Sequence, residues 1–365
     1  MAFGAIYIPN FPVQAVIRAE PALSGAAVAL VDGAPPVWNV IAANELAQRI
    51  GIELGMARTL AEEFENVMIR LRSRVQEKAA HAALLDLGWS VSPRVEDTAP
   101  DTIVLDLGGL STLFGAEESV ARQLAERASA LGLTANVAVA SNLQVAIHAA
   151  RGFAGVTWIA PNEEAKRLGC LSVSVLGPSA ETLETLDRWG VRTCGDLSAL
   201  PVLSLSERLG QEGVQLHTWA RGVGNRAMVL AEPGICFEEG IELDDSVEEL
   251  DPLAFLLNRL LQQLCARLKA RSLAFQAIHL RFELDLSGKN ERQIRNEHPR
   301  AENKAGVYET ILMLPVPMLD GKMLLNLLRL KLQEDPPASP IQKILMVAEP
   351  SRPRSIQKGL FQPVC

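Results

Sequence analysis

No acidic residue occurs between Met1 and Arg18 of this 365-residue chain. That absence bears on the stretch Ala5–Val16, AIYIPNFPVQAV, which reads as a short buried strand, Ile6-Tyr7-Ile8, running into a turn at Pro9-Asn10. Many nucleotide-handling enzymes place their first metal-binding carboxylate where a first strand ends in such a turn, so the chemistry has either moved or gone. Cysteine is also scarce: Cys170, Cys194, Cys236, Cys265 and Cys365 are scattered, with no CxxC pair. This argues against disulfides and a zinc site and for reduced thiols in a cytoplasmic protein. No apolar run approaches the ~18 residues of a membrane span. The N-terminus lacks the basic start of a signal peptide. His81, His148, His217, His279 and His298 stand too far apart in sequence to suggest a metal centre.

What is present is ordinary in bulk and uneven in detail. Hydrophobic residues make up 48% and charged residues 21%, the balance of a soluble globular protein. The length suggests about two to four domains. Net charge is −8 overall, yet from Arg259 onward there are 17 Lys and Arg against 10 Asp and Glu. The first 258 residues then hold 18 basic and 33 acidic residues, so contact with a polyanion is expected mostly from the last third.

Along the chain, Val28–Gly33 reads as a strand and Ala42–Met56 has helical apolar spacing that ends near Gly51 and Gly55. Ser73–Val91 reads as a longer amphipathic helix. Asp101–Gly109 is a strand closing on a glycine pair, and Ser119–Leu133 is a helix. Thr134–Ala140 is a strand, and a helix starts at Asn142. This alternation predicts an α/β sheet domain over about residues 1–160. From Leu176 the texture becomes two short helices around a tight turn at Trp189-Gly190-Val191, then helix to Gly222. Such a turn exposes backbone N–H groups to a phosphate, making Gly190 a candidate DNA contact; a plain αα-hairpin fits as well.

The last region reads as β-α-β-β-α-β, a ferredoxin-like layer of four strands and two helices. Between its middle strands lie Lys289, Arg292, Arg295, Arg300 and Lys304, either a loop tracking a nucleic-acid backbone or a solvated hairpin tip. The tail from Pro350 is punctuated by proline and expected to be unfolded.

Four segments in this order resemble the Y-family (UmuC/DinB-type) translesion DNA polymerases. GIELGM and LGPSAETLETLDRWGVRTCGDLSALP match most tellingly. The resemblance implies an α/β and α+β multidomain fold. Residues 1–160 would be a palm with fingers inserted over about 20–80, and 161–232 a helix-hairpin-helix thumb. Residues 233–349 would be a βαββαβ little finger, followed by a flexible tail at 350–365.

It also implies a catalytic pattern that this chain departs from. In a DxDxFF-type motif aligned on Phe11, the acidic positions fall on Tyr7 and Pro9, and the aromatic sugar gate on Pro12. The later SIDE-type motif aligns with Ala99-Pro100-Asp101-Thr102, keeping Asp101 but replacing the glutamate by Thr102. The Tyr and Arg that hold the triphosphate correspond to Glu45 and Gln48, and the Asn-Lys pair to Asn142-Leu143. Asp106, at an odd offset of five from Asp101, is not recruited as a ligand. Two Mg²⁺ clamped by carboxylates are needed for phosphoryl transfer in such enzymes, and Tyr7, Pro9 and Thr102 supply no carboxylate. The expectation is a vestigial site with no metal and no cofactor.

This combination resembles the ImuB subgroup, non-catalytic homologues in bacterial mutagenesis cassettes. The resemblance implies an adaptor bringing an error-prone DnaE-type polymerase and an ImuA-type partner to the sliding clamp and primer-template DNA after SOS-induced damage. Gln357, Leu360 and Phe361 resemble a clamp-binding QxxLF pattern, in which Gln bonds at a pocket rim while Leu and Phe fill a groove. Alternatively Phe361 packs back on the little finger. ImuB-type chains commonly extend well past that motif, whereas this sequence stops at Cys365, which puts the partner set in question. Two other readings remain: an active polymerase with unusual ligands and Mg²⁺, and a DNA-binding module without such partners.

Overall fold

The structure, a computed structural model, describes residues 2–34, 37–110, 115–224, 226–286 and 306–353. The first half runs β1 (Phe3–Tyr7), α1 (Phe11–Ala19), β2 (Ala27–Ala34), β3 (Val37–Ala43), α2 (Glu45–Ile50), α3 (Arg58–Ala61) and β4 (Val67–Leu71). It continues with α4 (Arg74–Trp89), β5 (Val95–Ala99), β6 (Thr102–Asp106), α5 (Glu117–Ala130), β7 (Asn136–Ala140), α6 (Leu143–Gly152) and β8 (Val156–Trp158).

The palm is a five-stranded sheet ordered β5-β6-β1-β7-β8. β1 is central and antiparallel to both β6 and β7, and only β7 and β8 run parallel. Strand alternation separates two faces. Ile6, Ile103, Leu105, Val137 and Val139 pack under α4 and α5. On the opposite face Ala5, Val104, Ala138 and Ala140 meet α6, and their small side chains leave room for its backbone to lie close over β1.

The fingers form a separate sheet, β3-β2-β4, in which β4 runs parallel to β2. Here the sequence reading needs correction. Ala42 and Ala43 end a strand, and the helix is confined to Glu45–Ile50. The Asn44 side chain accepts the Ala47 N–H at its start, and Gly51, at φ 114°, ends it in a conformation only glycine adopts without strain. Strands β3, β4 and β5 were not expected from the sequence.

The thumb comprises α7 (Glu164–Leu168), α8 (Ala180–Arg188), α9 (Cys194–Ala199) and α10 (Val202–Ala220). The expected continuous last helix is broken at Gly210, whose φ of 61° and ψ of −146° are non-helical. The little finger follows with β9 (Phe237–Val247), α11 (Leu250–Ala270), β10 (Ala274–Leu284), β11 (Val307–Met318), α12 (Gly321–Glu334) and β12 (Ile341–Ser351). Its antiparallel sheet is ordered β11-β10-β12-β9, and both helices cover one face.

A buried ionic network fastens the little finger to the palm. Arg18 of α1 donates to Glu239 of β9 at 2.7 and 2.8 Å, and Arg267 of α11 donates to the same carboxylate at 3.1 Å. Arg267 also donates to Asp86 of α4 at 2.8 Å, which Arg271 joins at 3.1 Å. Arg18 is 3% exposed, Asp86 2%, Glu239 1% and Arg267 1%. Gln263 of α11 donates to the Arg18 carbonyl at 2.8 Å. Charges this deeply desolvated are tolerable only when mutually paired, as these are.

Candidate functional site: one end of the central palm strand

The register of β1 against β6 pairs Tyr7 with Thr102, and Asp101 sits in the turn entering β6. The Asp101 carbonyl accepts the Ile8 N–H at 2.9 Å, and its carboxylate accepts the Thr102 hydroxyl at 2.7 Å. The structure therefore brings Tyr7, Asp101 and Thr102 together at one end of the central strand. Pro9 follows in the turn, where its carbonyl accepts Gln14 Nε2 at 2.9 Å. Asn10 adopts a left-handed φ of 49° that redirects the chain into α1, seating Phe11 in the core.

The donors here do not make a two-metal site. Burial first, and then the neighbouring Asp101 charge, raise the Tyr7 phenol above its ordinary value of 10.0, against an opposing effect of Arg151. The ring is thus neutral and a poor metal ligand at physiological pH. Thr102 is fully buried, and its hydroxyl proton is held on Asp101. Pro9 has no ligating side chain. One carboxylate remains where two Mg²⁺ need several, so the residues present do not fit that pair of ions. Among the described residues, no group of three or more His, Cys, Asp and Glu is arranged to hold a metal ion. Asp106 is occupied elsewhere, paired with Arg94 at 2.9 Å and accepting the Gly108 N–H at 2.9 Å.

The positions that resemblance assigns to triphosphate contacts are committed to other partners. Glu45 pairs with Arg49 at 3.3 Å on an exposed helix turn, and Gln48 Nε2 donates to the Ala43 carbonyl at 2.9 Å. Asn142 caps α6, accepting the N–H groups of Gln144 and Val145, while Leu143 is buried. A cleft of about 700 Å³ opens between α1, the end of β4, β9 and α11, and none of Tyr7, Pro9, Asp101 and Thr102 lines it.

Sequence reasoning missed the linker between thumb and little finger. Arg226 donates to Glu96 of β5 with both terminal nitrogens, and to Gln144 Oε1 at 3.4 Å. Glu96 also accepts the Val229 N–H at 2.8 Å and the Thr98 hydroxyl at 3.0 Å, and the Ala231 N–H donates to the Val95 carbonyl at 2.8 Å. Glu96 pairs with Val104, and Val104 with Ala5, so Arg226 ties β5 to the start of α6 across the α6 face of the sheet. Burial disfavours ionised Glu96, but the hydrogen bonds from Arg226, Val229 and Thr98 outweigh it and hold the carboxyl below its usual 4.5. No local signal marks this pair, whose members lie 130 residues apart.

The thumb turn requires a second correction. Gly190 does take a positive φ of 74°, but the surrounding N–H groups are already bonded. Gly190 donates to the Asp187 carbonyl, Val191 to Leu186, and Cys194 and Gly195 to Leu171 and Gly169. Arg192 and Thr193 donate to the Asp196 carboxylate, which closes a capping box with Thr193. The expected row of free donors is absent because the protein supplies its own anion. Trp189 lies under the Arg208 guanidinium at 5.7 Å. Lys289, Arg292, Arg295, Arg300 and Lys304 lie outside the described residues, as do the tail residues Gln357, Leu360 and Phe361.

Comparison with known proteins agrees with this fold. Residues 6–151 match the model of the impB/mucB/samB family. The chain is 25% identical over 300 residues to DNA polymerase IV of Dehalococcoides mccartyi strain CBDB1, covering 80% of this chain and 76% of that protein. It is 28% identical over 196 residues to Protein ImuB of Caulobacter vibrioides, covering 53% of this chain and 42% of that protein, so it spans less than half the length of this relative. Among solved structures, DinB from Sulfolobus solfataricus superposes with a TM-score of 0.55 at 16% identity, over 97% of this chain and 100% of that one. A post-insertion binary complex of Dbh DNA polymerase gives a TM-score of 0.53 at 16% identity, over 96% of this chain and 98% of that one. Residues 6–151 are thus similar to the impB/mucB/samB family, and the chain as a whole shares the fold of the DinB and Dbh structures.

Proposed function

We propose that this protein is a catalytically inactive, polymerase-like adaptor of translesion synthesis. In this reading it works in the cytoplasm after SOS induction. It links an error-prone DnaE-type polymerase and an ImuA-type partner to the sliding clamp and to primer-template DNA. The observation that carries the reading is the carboxylate position itself: Tyr7 and Thr102 face each other across β1 and β6, Pro9 follows, and Asp101 alone remains. The likeness to Protein ImuB supports it. Gln357, Leu360 and Phe361 are the proposed clamp contacts, and the basic span from Lys289 to Lys304 the proposed DNA contact. Gly190 stays a candidate only if an anion displaces the hydrogen bonds already made around it.

A second reading is favoured by relatives named DNA polymerase IV: an active polymerase that recruits Mg²⁺ through Asp101 and further ligands. Primer extension by the full chain, in Mg²⁺ and then Mn²⁺ beside an Asp101→Ala control, separates the two. The adaptor reading expects no incorporation in either metal. It also expects retention on immobilised clamp that is lost in Leu360→Ala with Phe361→Ala. Incorporation abolished by Asp101→Ala would sink it.

A further inference from the structure

The outward face of the little-finger sheet is poorly made for a phosphate backbone. Strand register sets Glu309 of β11, Arg281 of β10 and Leu345 of β12 in one row, and Ile311, His279 and Val347 in the next. The alternate residues Tyr308, Leu280, Phe282, Ile344 and Met346 point into the core. Among the described residues both lasting cations of this face are already paired: Arg281 lies 3.6 Å from Glu309, and Lys343 lies 3.2 Å from Glu242 and 3.5 Å from Glu283. His279 lies 3.5 Å from Glu349. Among the described residues of this face carboxylates outnumber guanidinium and ammonium groups, so the sheet surface itself disfavours a polyanion.

Apolar surface is concentrated at one edge of the same face. Ile311 is 47% exposed and Met313 63%, on a strand that pairs with β10 alone among the described strands. Pro315 and Pro317 have no N–H and blunt the far half of that edge. The stretch Val307–Leu314 carries no proline and presents the ladder groups of an edge strand.

We propose that this edge is a protein-docking site: β11 takes an extended segment of a partner protein as a fifth strand. Apolar side chains of that segment pack on Ile311 and Met313, and a Lys or Arg beside them meets Glu309. Backbone pairing supplies affinity, and the alternating side chains supply selectivity. Charge decides among occupants. A nucleic acid brings phosphates against the carboxylates of this face, and a second copy of this chain brings a second Glu309 where a cation would fit. A basic extended segment is the complementary one. The proposal deepens the adaptor reading by giving a partner a surface, yet it does not involve the palm. Primer extension by this protein leaves it untouched, and failed docking leaves the primer-extension result untouched.

The test is fluorescence anisotropy of the full chain with a labelled peptide alternating lysine and valine, its glutamate–valine counterpart, and a labelled primer-template duplex. The lysine peptide is expected to bind at least about tenfold tighter than the glutamate peptide. Glu309→Lys is expected to weaken the lysine peptide by about tenfold with the duplex affinity not reduced. Met313→Thr, which keeps a good strand former at the position, should weaken it as well, and an unchanged thermal transition certifies the fold. Equal affinity for the two peptides overturns the proposal, as does indifference to both substitutions. So does a homodimer in sedimentation that Met313→Thr dissolves, or duplex binding that Met313→Thr abolishes.

Discussion

His148 shows how much one side chain reports about its surroundings. It is 1% exposed, its Nδ1–H donates to the Val175 carbonyl at 3.1 Å, and its Nε2 accepts from Gln144 at 3.0 Å. Both bonds suit the neutral ring. Burial, aided by Arg151 and opposed by the Val175 carbonyl, pushes its pKa from 6.5 to about 4. The unfolded chain therefore binds a proton near pH 6.5 that the folded chain refuses until about pH 4. The stabilisation is fully present above 6.5 and lost as pH falls toward 4, by up to about 3 kcal/mol. Denaturant unfolding across that window is expected to show the loss, and His148→Gln should flatten it. An unaltered slope in the variant would remove His148 as its source. The same locality explains Tyr7: its identity is plain in the sequence, but its facing of Thr102 follows only from the antiparallel register.

At the scale of elements, the linker that follows α10 is ordered by side chains rather than by a regular ladder. Arg226 is its anchor, and Glu96 is held ionised by that contact, by the Val229 N–H and by Thr98. Arg226→Ala leaves a buried carboxylate short of its main partner, at a cost of about 2 kcal/mol. Hydrogen exchange at the Val229 and Ala231 amides should quicken in that variant while the palm strands stay protected. Equal protection would show that the linker holds without Arg226. Because Glu96 is depressed below 4.5, its stabilisation is present above that value and fades as pH falls through it. Strands β3, β4 and β5 escaped detection for an elemental reason. They are short, with exposed and buried residues interleaved irregularly, so no period-2 signal builds up. The little-finger elements are long, and its two helices and β10 and β12 carry an apolar stripe or alternation, so this region was legible.

The whole molecule is tied together where α1 and α4 of the palm meet β9 and α11 of the little finger. Glu239 receives both Arg18 and Arg267, so Glu239→Ala strands the buried Arg18 guanidinium, leaves Arg267 paired with Asp86 alone, and is expected to cost ~3–5 kcal/mol. Thermal unfolding should register this as a lower midpoint, with the little finger parting from the palm in small-angle scattering. Replacing Arg18, Asp86, Glu239 and Arg267 together by methionine and leucine should recover much of the loss, since an apolar core needs no pairing. A Glu239→Ala protein as stable as the parent would show the network to be passive. Charge asymmetry also changes meaning at this scale. The excess of Lys and Arg after Arg259 is partly consumed inside the molecule, by Arg267 and Arg271 against Asp86 and Glu239 and by Arg259 on the Arg18 carbonyl. Counting charges along the chain therefore overstates the basic surface offered to DNA.

The sequence by itself determined what these side chains can offer: Tyr7, Pro9 and Thr102 carry no carboxylate, and no fold restores a charge the side chain lacks. It also determined the elements whose apolar periodicity is long enough to specify a helix or strand locally. Tertiary structure alone decided what those elements do to one another. Arg18 and Glu239 lie 221 residues apart, Arg226 and Glu96 130 apart, and the acidic sheet face emerges only when β10, β11 and β12 align in register. Pairing over such separations is set by how whole elements pack, and local pattern carries no record of it.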